Sequence, residues 1–265
     1  MGLVAKRTTD KRILKLIRGF LTAGVLAEGL VGPTDEGTPQ GGPLSPLLSN
    51  LMLDVLDKEL EHRGHRFVRY ADDCNIYTQS RRAGERVMAG ITQYLSGRLK
   101  LRVNTAKSAV DVPSNRKFLG FSFTNGQAPK RRIAPQALKK FKERIRKETR
   151  RVRGASLAQI VEGLNPFLRG WRGYFGYGQL PSDMRNLDKW LRRRLRALAW
   201  KQWKRGRTRY KNLRKLGVAH DMAARTAGSS HGPWRLARTP ALHIGLPNDF
   251  FINTLGLVPL VATAK

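Results

Sequence analysis

Apolar positions recur at helical spacing near the start of the chain. Ile13, Leu14, Leu16, Ile17, Phe20 and Leu21 follow Asp10, whose carboxylate suits a helix cap, and the run stops at Gly24. A Gly/Pro-rich loop, VGPTDEGTPQGGPLSP, starts at Val31. Ser45-Pro46 then supplies an N-cap and a first-turn proline for a helix carrying Leu47, Leu51, Val55 and Leu56. After Gly64 the period shortens to two. RFVRYADDCNIYTQS, from Arg66, predicts two short strands around a tight Asp72-Asp73 turn, with Val68 and Tyr70 alternating before it and Ile76 after it. A helix from about Arg82 to Leu99 and strands near Leu101 to Val103 and Phe118 to Phe123 complete an α+β half.

Beyond Asn125 one stretch reads as a helix. In NLDKWLRRRLRALAWKQWKRGR, at about 100° per residue, Leu187, Leu191, Leu195 and Leu198 form one stripe. Lys189, Arg192, Arg193 and Arg196 fall on the opposite face, and Trp200 and Trp203 fall with them. Two readings of those tryptophans stay open: rings that stack splayed bases, or rings packed against another element.

The composition sharpens this division. The 265 residues carry 51 Lys+Arg against 19 Asp+Glu, a formal charge of +32, with enough apolar residues (40%) to exclude a disordered basic tail. Up to Asn125 the count is 19 basic against 12 acidic; beyond it, 32 against 7. A surface this cationic points to a polyanionic partner, nucleic acid, held largely through phosphates. The single cysteine, Cys74, excludes a disulfide framework and a Cys-rich zinc site and suits a reducing compartment. No apolar stretch approaches the ~20 residues of a membrane span, so the expected location is cytoplasmic, on nucleic acid, with no membrane partner.

Adjacent carboxylates on a tight turn repel unless a cation sits between them, and hard Mg2+ takes such oxygen ligands. Alone, an Asp-Asp pair is more simply a solvated turn. The flanking blocks weigh against that: GTPQGGPLSPLLSNLMLDVL (Gly37 to Leu56) before it, NTAKS (Asn104 to Ser108) and FLGFSF (Phe118 to Phe123) after it. Further on stand LNPFLRGWRGYFGYG (Leu164 to Gly178) and GPWRLARTPALHIGLPN (Gly232 to Asn248). In this order around RYADD, the chain resembles the group II intron-encoded reverse transcriptases, or maturases, truncated at the N-terminus.

The resemblance implies a partial right-hand polymerase palm, an antiparallel sheet with helices, over residues 1–125. An all-α thumb and maturase-specific domain over 126–218 and a C-terminal extension over 219–265 would follow. The implied activity is RNA-directed DNA polymerisation by two-metal nucleotidyl transfer, with intron RNA binding for splicing and mobility. Asp72 would ligate metal and Asp73 would assist less directly, with two Mg2+ ions as cofactor. Gln40 and Gly41 would lie near the incoming nucleotide and the primer or template, and Lys107 near the triphosphate. Phe118, Leu119 and Gly120 would form the strand that grips the primer end. Arg169, Arg172, Lys189, Arg192, Arg193, Arg196, Trp200, Trp203, Lys204, Arg205, Arg207 and Arg209 would bind RNA. The implied partners are intron RNA, the template-primer duplex and a DNA target.

The chain departs from the family in one block. A strand ending in an aromatic-Asp pair, which supplies a further metal ligand, precedes in the family the helix that Asp10 begins here. Asp10 and Asp35 are the only aspartates before Asp54, and neither follows a predicted strand. The expectation is a metal site short of one ligand and weak or no polymerisation by this chain alone. Apolar surface would be left uncovered, causing aggregation unless RNA or a separate N-terminal polypeptide covers it. Two other readings remain: a non-catalytic RNA-binding splicing factor, and a degenerate relic.

Overall fold

In a computed structural model, which describes residues 1–23, 25–27, 30–32, 42–150 and 154–261, Asp10 caps its helix as the sequence predicts. Its Oδ1 accepts hydrogen bonds from the backbone of Arg12 (2.8 Å) and Ile13 (3.3 Å). The chain divides into two units, Met1–Asp111 and Val112–Lys265.

The first unit runs α1 (Gly2–Ala5), α2 (Lys11–Thr22), the antiparallel pair β1 (Val25–Ala27) and β2 (Leu30–Gly32), α3 (Ser45–His62), β3 (Arg66–Tyr70), β4 (Asp73–Tyr77) and α4 (Arg81–Arg98). Helix α3 begins one residue earlier than expected. Leu44 occupies the cap position and Ser45-Pro46 both lie inside the first turn, where proline's missing N–H costs nothing. Leu56 and Leu60 of α3 and Ile91 of α4 form a small core, flanked by Phe67, Cys74 and Ile76 of the hairpin. The strand expected at 101–103 is absent. Lys100 turns the chain through a left-handed conformation (φ 54°), and the Leu101 N–H donates to the Leu95 carbonyl, finishing α4 instead of starting a ladder.

The second unit contains β5 (Phe121–Phe123), β6 (Arg131–Ile133), α5 (Pro135–Glu148), α6 (Leu157–Phe175), α7 (Pro181–Gln202), α8 (Gly206–Lys215), α9 (His220–Ala227), α10 (Pro233–Leu236) and α11 (Pro240–Gly245). An all-α second half is therefore not what forms: β6 pairs with β5, and Arg-Arg-Ile offers no alternation from which to foresee it. A Ser156/Gln159 capping box starts α6, whose Phe167, Trp171 and Phe175 lie on successive turns. The Trp171 ring centroid is 4.6 Å from those of both Phe141 and Phe175.

Helix α7 lies between two cores. Leu187, Leu191, Leu195 and Leu198 join α5, α6 and the chain's end in one of them. Trp200 joins Leu213, Val218, Leu236 and Leu242 in the other. Residues 256–261 are stitched to the helices by buried side chains. Asp188 of α7 accepts the N–H groups of Leu260 (3.0 Å) and Val261 (3.2 Å). Asn165 of α6 donates to the Gly256 carbonyl (2.9 Å) and accepts from the Val258 N–H (3.0 Å). Leu257 and Leu260 are thereby seated in the larger core.

Candidate functional site

Pairing of Tyr70 with Asp73 makes Ala71-Asp72 the two-residue turn of the β3–β4 hairpin, one residue earlier than the expected Asp72-Asp73 turn. Ala71 has φ 51°, a conformation that costs a residue with a side chain about 1 kcal/mol. Strand alternation sends Phe67, Arg69, Cys74 and Ile76 inward, while Val68, Tyr70 and Asp73 are exposed.

Arg69 is the charged residue on the inward face, and it explains how the turn is held. Its Nε donates to Asp57 Oδ1 (2.7 Å) and its second terminal nitrogen to Asp57 Oδ2. The remaining nitrogen donates to Asn50 Oδ1 (2.9 Å) and to the Ala71 carbonyl (2.8 Å). One guanidinium thus ties the turn's backbone to two residues of α3. The hydrogen bonds to Asp57 raise the Arg69 pKa above its ordinary value. Sequence reading missed all three residues. The available signal was an arginine at an inward strand position, with Asn50 and Asp57 two helical turns apart on one face.

Asp72 and Asp73 are exposed at the hairpin tip. Their carboxylates suit one Mg2+ that takes its other ligands from water and phosphate oxygens. A site for two ions needs more: among the described residues no three His, Cys, Asp or Glu side chains come together as a metal site. Gln40 and Gly41 lie outside the described residues. Lys107 is exposed on the turn after α4, where its N–H donates to Asn104.

Phe118, Leu119 and Gly120 do not form the expected strand. Phe118 and Phe121 exchange backbone hydrogen bonds (2.8 and 2.9 Å) across Leu119 (φ 50°) and Gly120 (φ 77°). Two successive left-handed residues reverse the chain in a tight turn. Tyr174 of α6 donates its hydroxyl to the Leu119 carbonyl (2.9 Å). A Cβ at position 120 would lie 3.1 Å from the Phe175 ring, so both backbone angle and space favour glycine there.

Of the residues expected to bind RNA, Arg169, Lys189, Lys204, Arg205 and Arg207 are exposed. Arg172 donates to the Pro259 carbonyl (3.2 Å), and Arg192 lies 3.9 Å from Asp188. Arg193 donates twice to the Trp234 carbonyl (3.1 and 2.8 Å). The structure corrects two assignments outright. Arg196 is buried, donating to the Leu246 carbonyl (2.8 Å) and Asn248 Oδ1 (3.1 Å). Burial, with help from the Arg192 charge, lowers its pKa to about 10, so it stays charged at neutral pH. Trp200 has no exposed surface and carries the Arg209 guanidinium 4.8 Å from its ring centroid. Trp203 is half-buried at the end of α7, packed on both cores. A helical wheel assumes one buried face, and α7 has two.

A hairpin offering adjacent carboxylates, in a chain whose other part is strongly basic and helical, belongs to the class of nucleic-acid-handling proteins. Residues 4–123 match the family model of reverse transcriptase (RNA-dependent DNA polymerase), and residues 138–217 match that of the group II intron maturase-specific domain. The chain belongs to the group II intron reverse transcriptases/maturases. It is 47% identical over 58 residues to the group II intron-encoded protein LtrA of Lactococcus lactis subsp. cremoris, which covers 22% of this chain and 10% of LtrA. It is 29% identical over 144 residues to protein YkfC of Escherichia coli (strain K12), covering 42% of this chain and 38% of YkfC. The chain thus matches well under half the length of these relatives. Among the described residues no helix is long and apolar enough to cross a membrane.

Proposed function

We propose that the second unit binds group II intron RNA and that the β3–β4 hairpin is the carboxylate-bearing element of an RNA-directed DNA polymerase palm. The reading rests on one observation: the exposed Asp72 and Asp73, held by Arg69, lie within the reverse-transcriptase match, and the basic maturase-specific segment follows in the same chain. Template-primer duplex and a DNA target are the further partners in this reading. The division of labour would follow residues 1–125, 126–218 and 219–265.

Asp72 and Asp73 would hold Mg2+ there, and the metal, when bound, would supply charge stabilisation for phosphoryl transfer. The chain's own contribution is positional. The Arg69 bridge ties the turn's backbone to α3, and the two carboxylates carried there would face a primer end. Lys107, Gln40 and Gly41 would serve the nucleotide, and the turn of Phe118, Leu119 and Gly120 the primer. Arg169, Lys189, Lys204, Arg205 and Arg207 would contact RNA phosphates, with Arg172, Arg192, Arg193 and Arg209 offering what their protein contacts leave free.

A second reading is a splicing factor without polymerase activity, which the maturase-specific match over residues 138–217 supports by itself. Primer extension on an RNA template, with and without a polypeptide carrying the family's aromatic-Asp strand, separates the two. Extension abolished by Asp72→Asn supports the polymerase. Stimulated intron splicing at low Mg2+ without extension supports the splicing factor. No preference for intron RNA over bulk RNA in filter binding sinks both.

A further inference from the structure

The basic face read from α7 loses its tryptophans to the cores, yet one tryptophan outside that reading is 40% exposed: Trp234 of α10. It is held unusually well for a surface aromatic. The Arg193 guanidinium lies 3.9 Å from the ring centroid, and the same group donates two hydrogen bonds to the carbonyl of that residue. One side chain of α7 therefore fixes both backbone and ring of Trp234. Leu236, in the same short helix, anchors it from below in the smaller core. Arg193 lies over one ring face, and 40% of the residue stays exposed.

The charge around this ring is of one sign. Arg235 and Arg238 are exposed in the same segment. Repulsion from Arg238 adds to burial in lowering the Arg193 pKa. Clustered guanidiniums beside a rigid, half-open indole match the two needs of a single strand: cations for phosphates and a flat apolar face for a base.

We propose that Trp234, backed by Arg193 and flanked by Arg235 and Arg238, is a stacking platform for an unpaired nucleobase. The strand is RNA or single-stranded DNA, since both present the same π-face and phosphates. This rests on the reading that the basic unit binds nucleic acid.

The test is anisotropy binding of the full chain to labelled 12-mers of uridine RNA, thymidine DNA and an abasic deoxyribose-phosphate strand. Base stacking on one aromatic is worth about a tenfold change in affinity. Trp234→Leu is therefore expected to weaken base-bearing strands about tenfold and leave the abasic strand unchanged. Trp234→Phe should retain most of the affinity. The larger loss, in RNA or in DNA, assigns the strand. On the wild-type chain, ultraviolet crosslinking of a 4-thiouridine 12-mer should label the peptide holding Trp234, a readout that needs no variant to fold. Adducts elsewhere only, or equal binding by wild type and Trp234→Leu, overturn the platform while nucleic-acid binding stands. No binding of any strand by the wild type overturns both.

Discussion

Arg69 and Asp57 join the β3–β4 hairpin to helix α3 through a two-pronged ion pair, with side chains only 12% and 23% exposed. Because the same guanidinium also holds the Ala71 carbonyl, the pair controls the turn on which Asp72 sits. Arg69→Ala strands a largely buried carboxylate and is expected to cost about 2–3 kcal/mol. Replacing both partners with leucine should cost less than the sum of the single changes. A double-mutant cycle by urea denaturation checks this, and additive losses would contradict the coupling.

Trp200 is fully enclosed in the smaller core. Trp200→Ala is expected to destabilise the second unit by about 3–5 kcal/mol, the usual cost of emptying a large aromatic site. Affinity for RNA, measured well below the melting temperature, should stay within twofold. A stable Trp200→Ala protein with lost RNA binding would restore the base-stacking assignment.

Asp188 accepts two backbone N–H groups of the final described residues while 4% exposed. Asp188→Ala leaves both donors unpaired, that of Leu260 buried and that of Val261 partly so, at about 2–4 kcal/mol. Hydrogen exchange at Leu260 and Val261 should accelerate far more than at Leu191, in the centre of α7. Uniform acceleration would mean that Asp188 does not hold this segment specifically.

Ile13, Leu16 and Phe20 of α2 are 44%, 64% and 58% exposed, and Val68 and Tyr70 of the hairpin are exposed as well. Apolar side chains so placed favour self-association. Light scattering at micromolar concentration should find oligomers that Leu16→Glu and Phe20→Glu together reduce, with helix content unchanged. A monodisperse wild-type monomer contradicts the expectation.

Cys74 is the only thiol. Burial raises its pKa from 9.0 to about 11, with the Asp57 charge adding and Arg69 opposing. The unfolded chain therefore loses this proton first, so Cys74 lowers native stability as pH climbs from 9 towards 11 and has no such effect below 9. Iodoacetamide, which attacks the thiolate, should modify the native protein with a rate rising towards pH 11 and the urea-unfolded protein with a rate rising from about 9. Coincident profiles would place Cys74 in solvent.

Local pattern was enough for much of this. The Asp10 cap, the Arg66 to Tyr77 hairpin with its paired carboxylates, α4 and the leucine stripe of α7 were all legible, because capping, alternation and helical period are short-range properties. What failed was long-range. Trp200 read as part of a basic outer face because a wheel cannot register a second core on the far side of α7, and Arg196 because it cannot register the residues Leu246, Asn248 and Phe251 that cover it. The Phe118 turn was hidden by an apolar run that looks like strand. Its reversal depends on the Tyr174 and Phe175 contacts more than fifty residues away.

The sequence by itself determined the family, the charge asymmetry and the residues able to carry chemistry, since each is written in residue type and order. Only the tertiary structure decided which of those side chains meet solvent and which are committed to packing. Arg69 was recruited to hold a turn, Arg196 and Trp200 were withdrawn into the interior, and Trp234 was left half-open on Arg193. Burial is set by what packs on the other side of an element, and no local pattern contains that information.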